Sequence, residues 1–155
     1  RILSGSWDTT IKAWNAVSGE CEATWRDHDG GVSCLIQIED GRVLSGSADE
    51  TIKVWDAATG TCLRTLLDHE KSMNCLLQLS NGCIISGSSD GTLRVWDLSQ
   101  EDDAACQVMT LPGHTDWIFA IIQLEDGRIL SGSYDETVRI WIVPELMDDG
   151  NFVLK

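Results

Sequence analysis

One motif occurs four times in the chain at nearly constant spacing, and this repetition constrains the fold more than any other feature. The four copies read ILSGSWDTTIKAWN, VLSGSADETIKVWD, IISGSSDGTLRVWD and ILSGSYDETVRIWI. Their tryptophans are separated by 41, 41 and 45 residues, and they are Trp14, Trp55, Trp96 and Trp141. Three histidines each precede one of these tryptophans by 27 residues, and they are His28, His69 and His114. A period of this length predicts similar supersecondary units that stack on one another.

Within each repeat the pattern is that of β-strands. In the second repeat we predict strands over residues 32–38, 42–47, 51–56 and 61–67, because short β-branched and apolar runs alternate with turn residues. The Asp40-Gly41 pair between the first two strands predicts a tight hairpin turn, since both residues tolerate a positive φ. The same turn recurs as Asn81-Gly82 and Asp126-Gly127. Four antiparallel strands in about 41 residues are typical of a β-propeller blade, so the predicted fold class is all-β.

These motifs resemble the WD40-repeat family of β-propellers. A histidine, a Ser-Gly-Ser, an aspartate and a tryptophan recur in the same register three times, and the similarity extends from Arg1 to about Ile142. The Trp-Asp pair that ends the family's motif is present at Asp56 and Asp97, and Asn15 and Ile142 replace the aspartate in the first and last copies. The resemblance implies blades of four antiparallel strands, labelled a to d from the propeller axis outward.

The resemblance implies a single partial propeller over residues 1–155, with about 3.75 blades in an incomplete ring. Blade 1 lacks strand a and spans residues 1–26, blade 2 spans 31–67, blade 3 spans 72–111 and blade 4 spans 117–155, with strand d of blade 4 near 152–155. The simplest interpretation is a piece of a longer chain, and the alternative is a ring completed by another chain. In both cases two open blade faces expose apolar surface and strand edges. We therefore predict that the isolated chain is marginally stable or associates.

The resemblance also places one histidine, one serine, one aspartate and one tryptophan of each repeat in a hydrogen-bonded set, here called a tetrad. The three complete tetrads are His28, Ser45, Asp49 and Trp55; His69, Ser86, Asp90 and Trp96; and His114, Ser131, Asp135 and Trp141. The first serine of each Ser-Gly-Ser is taken as the member of the tetrad. The alternative is the second serine, on the same face of the strand, which is Ser47, Ser88 or Ser133.

A serine, a histidine and an aspartate in contact are also the parts of a nucleophilic relay. A catalytic site is built once, however, whereas this set recurs with the period of the fold, and the chain has no Gly-x-Ser-x-Gly motif. The tetrads are therefore predicted to be structural, since their donors and acceptors satisfy one another in the interior. We predict that the chain is not an enzyme and needs no cofactor, with a hydrolase as the least favoured alternative.

The six cysteines follow the repeats. Cys21 and Cys62 are 41 residues apart, and so are Cys34 and Cys75, so each pair occupies equivalent positions in successive repeats. No Cys-x-x-Cys pair and no cysteine and histidine cluster with zinc spacing is present. We interpret the cysteines as small buried side chains and predict no metal site, with a disulfide or a metal as alternatives. Unpaired thiols indicate a reducing compartment, which predicts an intracellular protein, cytoplasmic or nuclear.

The charge of the chain restricts its partners. Its 11 lysines and arginines stand against 25 aspartates and glutamates, for a net charge of −14. Nucleic acid is not a predicted partner, because neutralising phosphates needs a cationic surface. A membrane is not predicted either, because no apolar run reaches the roughly 18 residues of a spanning helix. A basic protein or peptide is the partner that the electrostatics favour.

Candidate partner-binding residues are those that vary at the ends of this constant framework. In the family that the chain resembles, the end with the loop before strand a and the b–c turn commonly binds peptides. Trp7, Trp117 and Tyr134 are candidates for a stacking or cation–π platform at that end. Asp29, Glu70 and Asp116 add negative potential beside it. The alternative is that these aromatic residues only pack between blades, and the acidic insert at 99–103 is interpreted as a solvated loop or, alternatively, a contact.

The leading functional hypothesis is a non-catalytic scaffold or adaptor module that binds a protein or peptide at its loop ends. The alternative is a regulatory or substrate-recruiting propeller attached to an enzyme or a ubiquitin-ligase subunit in a longer chain. The remaining blades would then come from the missing part of that chain or from another chain. Both hypotheses rest on the resemblance, because the repeats themselves do not distinguish them.

Overall fold

The predicted all-β fold is confirmed by a computed structural model that describes residues 1–67, 69–102 and 106–143 and the backbone of Glu145–Leu146 and Phe152–Val153. The first sheet contains β1 (Ile2–Gly5), β2 (Thr10–Trp14) and β3 (Cys21–Arg26). The second contains β4 (Val32–Gln37), β5 (Val43–Ser47), β6 (Thr51–Trp55) and β7 (Cys62–Leu67). The third contains β8 (Met73–Gln78), β9 (Ile84–Ser88), β10 (Thr92–Trp96) and β11 (Gln107–Pro112).

The chain ends in a fourth sheet and a short hairpin. The fourth sheet contains β12 (Ile118–Gln123), β13 (Ile129–Ser133) and β14 (Val138–Trp141). A separate pair is formed by β15 (Glu145–Leu146) and β16 (Phe152–Val153). The outer strand of the last blade was predicted near residues 152–155. The described part of that range, β16, pairs with β15 rather than with β14, and residues 154 and 155 lie outside the described residues.

Local sequence explains the meander within each sheet. Every pair of neighbouring strands is antiparallel and follows chain order, because short turns connect them. At the β4–β5 hairpin Gly41 has a φ of +90°, and its amide donates to the carbonyl of Ile38 at 2.9 Å. The carboxylate of Asp40 accepts the amide of Arg42 at 2.9 Å. Ile38 and Arg42 close the hairpin around a three-residue loop, and of the Asp-Gly pair only Gly41 adopts the positive φ that both residues tolerate.

The sheets stack face to face in chain order. Since side chains alternate between the two faces of a strand, each sheet has a front face, turned to the preceding sheet, and a rear face, turned to the following one. In the second sheet Val43 and Trp55 pack forward on the first sheet, whereas Leu44 and Val54 pack backward on the third. The inner strands carry the stacking, with β1 against β4, β4 against β8 and β8 against β12.

Three apolar clusters fill the three interfaces between successive sheets, which we call seams. The first–second seam contains Ile11, Trp25, Val32, Val43 and Trp55. The second–third seam contains Leu44, Ile52, Met73, Ile84 and Trp96, among others. The third–fourth seam contains Ile85, Leu93, Val95, Ile118 and Ile129, among others. The sheets described here do not close a ring, so the front of the first sheet and the rear of the fourth are open.

Candidate functional site

The tetrad of the second sheet joins the loop before β4 to the β5–β6 hairpin. His28 lies in the loop before β4, Ser45 in β5, Asp49 in the β5–β6 turn and Trp55 in β6. Nδ1 of His28 is 2.7 Å from Oδ2 of Asp49, and its Nε2 is 2.6 Å from Oγ of Ser45. The indole Nε1 of Trp55 donates to the same Oγ at 2.8 Å. The four side chains thus form one continuous hydrogen-bonded chain.

The third and fourth sheets repeat this geometry. His69 is 2.7 Å from Asp90 and 2.8 Å from Ser86, to which Trp96 donates at 2.8 Å. His114 is 2.6 Å from Asp135 and 2.8 Å from Ser131, to which Trp141 donates at 2.7 Å. In each sheet the first serine of Ser-Gly-Ser is the tetrad member. The second serine instead accepts the amide of the turn aspartate at 3.1 Å, and it is Ser47, Ser88 or Ser133.

The proton order in the tetrad follows from what each group offers. An indole N–H only donates and a carboxylate only accepts, so the two ends of the chain are defined. The serine oxygen accepts from Trp55, its hydroxyl donates to Nε2 of His28, and Nδ1–H donates to Asp49. This assignment needs a neutral imidazole with its proton on Nδ1. Burial lowers the pKa of His28, against the opposing effect of Asp49, so the neutral form is the one favoured in the interior.

The aspartate of the tetrad also holds the turn and the leading loop. Burial raises the pKa of Asp49, but hydrogen bonds from Thr51 and His28 outweigh it and lower that pKa to about 2. Oδ1 accepts both the amide and the hydroxyl of Thr51, at 3.0 and 2.7 Å, and Oδ2 accepts the amide of Asp29 at 3.0 Å. Similar bonds hold the pKa of Asp90 and of Asp135 well below the usual range. The carboxylate is therefore a structural junction.

The hydrogen bonds of the tetrad follow the same sequence as those of a nucleophilic relay, but the serine hydroxyl is not accessible to a substrate. Ser45 and Ser86 are fully buried, and Ser131 is almost so. A nucleophile must come within about 3.5 Å of the atom it attacks, and a substrate cannot reach an enclosed hydroxyl. In addition, the serine oxygen already accepts the indole N–H of its tryptophan. The geometry thus suits a group that ties loop, turn and strands together.

The partner-binding candidates lie at one end of the sheets, here called the top end. The register pairs Val32 at the start of β4 with Ser47 at the end of β5, so the loop before β4 and the β5–β6 turn meet there. Trp117 and Tyr134 come together at the top of the fourth sheet. Their rings meet edge to face, with centroids 5.8 Å apart at 88°, and Trp117 is 50% and Tyr134 64% exposed.

A third aromatic residue, Phe119, completes this group. Its ring centroid is 5.2 Å from that of Tyr134, and it is 51% exposed. We call Trp117, Phe119 and Tyr134 the aromatic cluster. Sequence reasoning missed Phe119, although a signal was present, because the repeats carry Ser33 and Asn74 at its position. The β-bulge between Ile118 and Ala120 recurs at the equivalent positions of β4 and β8, so the residue type and not the backbone distinguishes this position.

The structure does not bring Trp7 to the aromatic cluster. Trp7 is 76% exposed, yet its ring lies against Gly31, where an added Cβ would come within 2.3 Å of it. Trp7 therefore covers the top of the first–second seam, whereas the cluster belongs to the fourth sheet. The alternative interpretation, in which these aromatic residues pack between blades, therefore describes part of the environment of Trp7.

The acidic candidates are exposed at the same top end but belong to different sheets. The carboxylate of Asp116 adjoins the aromatic cluster and accepts the amide of Trp117 at 2.7 Å. Asp29 and Glu70 follow His28 and His69, and their amides donate to the turn aspartates Asp49 and Asp90. Their side chains face solvent. The second, third and fourth sheets thus each present one of these candidates, and only Asp116 of the fourth sheet lies beside the cluster.

Neither the cysteines nor a metal site provides a further functional centre among the described residues. None of the six cysteines forms a disulfide, and burial raises the pKa of Cys34 to about 11 and of Cys75 to about 12. Cys21 is exposed, unlike the buried side chain expected, because the front of the first sheet is open. Across the described residues no group of three or more His, Cys, Asp or Glu side chains could hold a metal ion. In the acidic insert, residues 99–102 are exposed and Asp103 lies outside the described residues.

The family model for the WD domain, G-beta repeat, matches residues 19–56, 60–97 and 105–141, which is more than half of the chain. The chain belongs to the WD40-repeat family. Its resemblance to that family, inferred from the repeated motifs, is thereby confirmed. WD40 propellers are generally protein-interaction modules and are generally not catalytic. None of the helices in the part of the chain that the structure describes is long and apolar enough to cross a membrane.

Similar proteins and structures agree with this assignment. An uncharacterised WD repeat-containing protein of Schizosaccharomyces pombe is 49% identical over 39 residues, covering 25% of this chain and 11% of that protein. The F-box/WD repeat-containing protein 7 of Drosophila melanogaster is 56% identical over 32 residues, covering 21% of this chain and 2% of that protein. The chain therefore spans only a small part of these relatives.

Two solved structures share the fold over most of the chain. The WD40 β-propeller domain of Doa1 superposes with a TM-score of 0.80 and 32% identity, over 89% of this chain and 45% of that one. The computationally designed Ika4 protein superposes with a TM-score of 0.75 and 34% identity, over 90% of this chain and 82% of that one. The sheets of this chain are thus WD40 propeller blades.

Proposed function

We propose that this chain is a non-catalytic scaffold or adaptor module that binds a basic peptide or protein at its top end. The observation that carries the proposal is the aromatic cluster, in which Trp117 and Phe119 each contact Tyr134 and all three rings remain half exposed or more. Aromatic rings usually bury most of their surface when they serve packing alone. An exposed group of them is typical of a contact site.

The electrostatics favour a cationic ligand. A lysine or arginine side chain over an aromatic face gains about 0.5–2 kcal/mol, depending on its desolvation. The carboxylate of Asp116 beside Trp117 adds a direct ion-pair partner for such a group. The net charge of −14 attracts a basic partner over a longer range and speeds its association at low salt.

The remaining candidates form a second, separate contact in this proposal. Trp7 at the first–second seam lies in the neighbourhood of the leading loop that carries Asp29, and Glu70 occupies the equivalent loop of the third sheet. An extended basic segment that crosses the top end would meet these acids after leaving the cluster. The contribution of Trp7 is therefore expected to be independent of that of Trp117.

A second candidate function is a regulatory or substrate-recruiting propeller within a longer protein, attached to an enzyme or a ubiquitin-ligase subunit. It is favoured by the similarity to the F-box/WD repeat-containing protein 7, of which this chain covers only 2%. In that case the remaining blades come from the rest of that chain or from another chain. Six cysteines without a disulfide support a reducing, intracellular location, cytoplasmic or nuclear, for either function.

An immobilised array of peptides tests the leading proposal. It compares lysine- and arginine-rich peptides with the same peptides in which glutamate replaces the basic residues. We expect binding to the basic set only, weakened roughly 2- to 30-fold by Trp117→Ala or Tyr134→Ala. Val17→Ala is the control, because Val17 is a fully exposed residue of the β2–β3 turn. Equal binding of the basic and the glutamate-substituted peptides would refute the proposed preference for a basic ligand. Equal binding by wild type and both aromatic variants would refute the aromatic cluster as the binding site.

A further inference from the structure

The outer strand of the second sheet, β7, is an edge strand that lies between two neighbouring sheets. It pairs with β6 on one side only, while the first sheet packs in front of the second and the third packs behind it. Alternate residues of an edge strand direct their N–H and C=O groups away from the sheet. Another extended chain can pair with such groups, unless side chains at the edge prevent it.

Exposed leucines distinguish β7 from the other outer strands. Leu67 is 69% and Leu63 51% exposed, and neither belongs to the clusters that fill the three seams. In the register position of Leu67 the first sheet has Arg26 and the third has Pro112. Charged residues and proline are common means by which proteins keep an edge strand from pairing with other chains. At this position β7 has neither.

A β-bulge limits the part of β7 that can pair. Leu63 is the extra residue of this bulge, and the outer strands of the first and third sheets have the same bulge at Glu22 and Val108. Because a bulge disturbs the ladder, residues 64–67 are the part suited to pairing. Leu63 and Leu67 therefore lie at the two ends of this short segment, where they can contact the side chains of an added strand.

The single cationic residue of β7 is engaged by the third sheet. Nη1 of Arg64 donates to the carbonyl of Gln100 at 2.8 Å and to that of Leu98 at 3.3 Å. Its Nη2 lies 2.6 Å from Sγ of Cys106, which is completely buried. All three groups belong to the connection between β10 and β11. The Arg64 side chain thus crosses the second–third seam and does not protect the edge as an exposed charge would.

Exposed carboxylates flank β7 on both sides. On the front side Nζ of Lys53 donates to the carboxylate of Asp27 at 2.5 Å and to the hydroxyl of Thr65 at 3.2 Å. The Asp27 side chain is 46% exposed, whereas that of Lys53 is only 11% exposed. On the rear side the loop that binds Arg64 continues into the exposed Glu101. A chain that approaches β7 therefore meets carboxylates, while the nearby cationic groups are bound within the protein.

We propose that β7 is a docking strand, and that an extended segment of a partner protein pairs with it as a fifth strand of the second sheet. The backbone groups of the edge select an extended chain. Leu63 and Leu67 select apolar residues in that segment, and the flanking carboxylates select lysine or arginine between them. A second copy of this chain is disfavoured as the occupant, because each copy carries a net charge of −14.

A synthetic eight-residue peptide of alternating valine and lysine is the probe for this site. One analogue has glutamate in place of lysine, and another has methylated backbone nitrogens, which cannot donate hydrogen bonds. Isothermal titration calorimetry compares the three peptides. We expect both analogues to bind about tenfold more weakly or worse, since the first loses charge complementarity and the second loses the backbone pairing. Hydrogen–deuterium exchange should show protection of residues 62–67 by the unmodified peptide.

Variants of Leu67 copy the residues that the neighbouring sheets have at this position. Leu67→Pro and Leu67→Arg should each weaken binding of the valine–lysine peptide about tenfold or more. Arg26→Pro places the same proline at the equivalent position of β3 and should leave binding unchanged. Trp117→Ala should also leave it unchanged, because the docking strand shares no residue with the top-end site. Circular dichroism verifies folding, and Leu67→Arg, which keeps its amide, replaces Leu67→Pro if the latter unfolds.

Four results would overturn the proposal. The first is equal binding of the valine–lysine peptide by wild type and the folded Leu67 variants, and the second is equal binding of the methylated and unmethylated peptides. The third is loss of binding in Trp117→Ala, which would assign the peptide to the top end. The fourth is a dimer of the wild-type chain that Leu67→Pro dissociates, seen by sedimentation equilibrium, which would identify a second copy as the occupant.

Discussion

The serine of each tetrad is held from both sides by hydrogen bonds whose directions are defined. Its oxygen accepts an indole N–H and its proton goes to an imidazole, so no polar atom of the group is left over. Replacing one member leaves its neighbour buried without a partner. The cost of such an orphaned group is about 1–3 kcal/mol, more than the net value of the bond itself.

Trp55→Phe removes one donor and keeps most of the ring. We expect the free energy of unfolding to fall by about 1–3 kcal/mol, because Ser45 loses the indole N–H in a site that water does not reach. Trp7→Phe is the matched control and should stay within about 0.5 kcal/mol, since that ring is largely exposed. Equilibrium urea unfolding measures both. Equal stability of wild type and Trp55→Phe would contradict the structural role of the tetrad.

The tetrads also predict the dependence of stability on pH. The pKa of Asp49 is lowered to about 2 in the folded state, against about 3.9 in the unfolded chain. A depressed pKa stabilises the folded state above the unfolded value, and this contribution is lost as the pH falls from about 4 to 2. The lowered pKa of His28 acts in the same direction, because the unfolded chain binds a proton at this histidine first. The stabilising contribution of neutral His28 is therefore lost as the pH falls below about 6.5. Stability is therefore expected to decline below neutrality and steeply below pH 4.

Asp49→Asn checks the acidic part of this decline. The amide keeps an acceptor oxygen but does not titrate, so the variant should be less stable at pH 7 and lose less between pH 4 and 2 than wild type. Urea midpoints at pH 7, 5 and 3 provide the comparison. Asp29→Asn, at an exposed residue of the loop before β4, serves as the control substitution. An identical acid decline in wild type and Asp49→Asn would exclude Asp49 as a source of it.

At the scale of elements, turns decide where each strand begins and ends. Gly41, Gly82 and Gly127 have φ near +90° at the tips of equivalent hairpins, as the Asp-Gly and Asn-Gly pairs predict. Gly60 in the β6–β7 turn has a second reason to be glycine. Its φ is +74°, and an added Cβ would lie 2.1 Å from Nε1 of Trp25. Trp25 in turn stacks on Trp55, with ring centroids 5.7 Å apart. The turn and the seam therefore constrain each other.

Alanine at these two glycines separates backbone strain from steric conflict. Gly41→Ala should cost about 1–2 kcal/mol, because the added Cβ meets no atom within 4 Å and only the positive φ is unfavourable. Gly60→Ala should cost about 2–5 kcal/mol, because displacement of Trp25 adds to the same strain. Thermal unfolding of the two variants measures the difference. Similar losses in both would show that Trp25 moves aside freely.

At the scale of the whole molecule, stability lies in the seams. A single sheet cannot bury its own apolar faces. The apolar side chains are buried only where two successive sheets pack together, in the clusters at the three seams. The value of a side chain thus depends on whether a following sheet covers it. Leu93 and Val138 occupy equivalent positions and show the two extremes, the first completely buried and the second mostly exposed.

This pair provides a test of the seam as the source of stability. Leu93→Ala should lower the free energy of unfolding by about 2–5 kcal/mol, through lost burial and the cavity left behind. Val138→Ala should change it by no more than about 0.5 kcal/mol in a monomer. Urea unfolding at low protein concentration measures both single variants. A loss at Val138→Ala as large as that at Leu93→Ala would contradict the seam as the source of stability.

The periodic features of this protein were determined by its sequence alone. The strand pattern and the hairpin turns depend on local spacing and turn chemistry, which repeat every 41 to 45 residues. The residues that meet around each histidine were those that the resemblance to WD40 repeats implies. The choice of Ser45 over Ser47 was left open there, because both point to the same face of one strand. Only the tertiary structure showed that Trp55 and His28 both bind Ser45. Ser47 instead accepts the amide of Asp49 in the β5–β6 turn.

The exceptional features were decided by the tertiary structure. Phe119 joins Tyr134 at the top of the fourth sheet, and Trp7 lies apart from them because it covers a different seam. The exposure of Ile140, set against the burial of Val95, depends on whether a sheet follows, and no local pattern encodes that. The spacing along the chain specifies which residues occupy equivalent positions in the sheets. The burial and the contacts of these equivalent residues differ between sheets, because they depend on which other sheets and loops lie next to them.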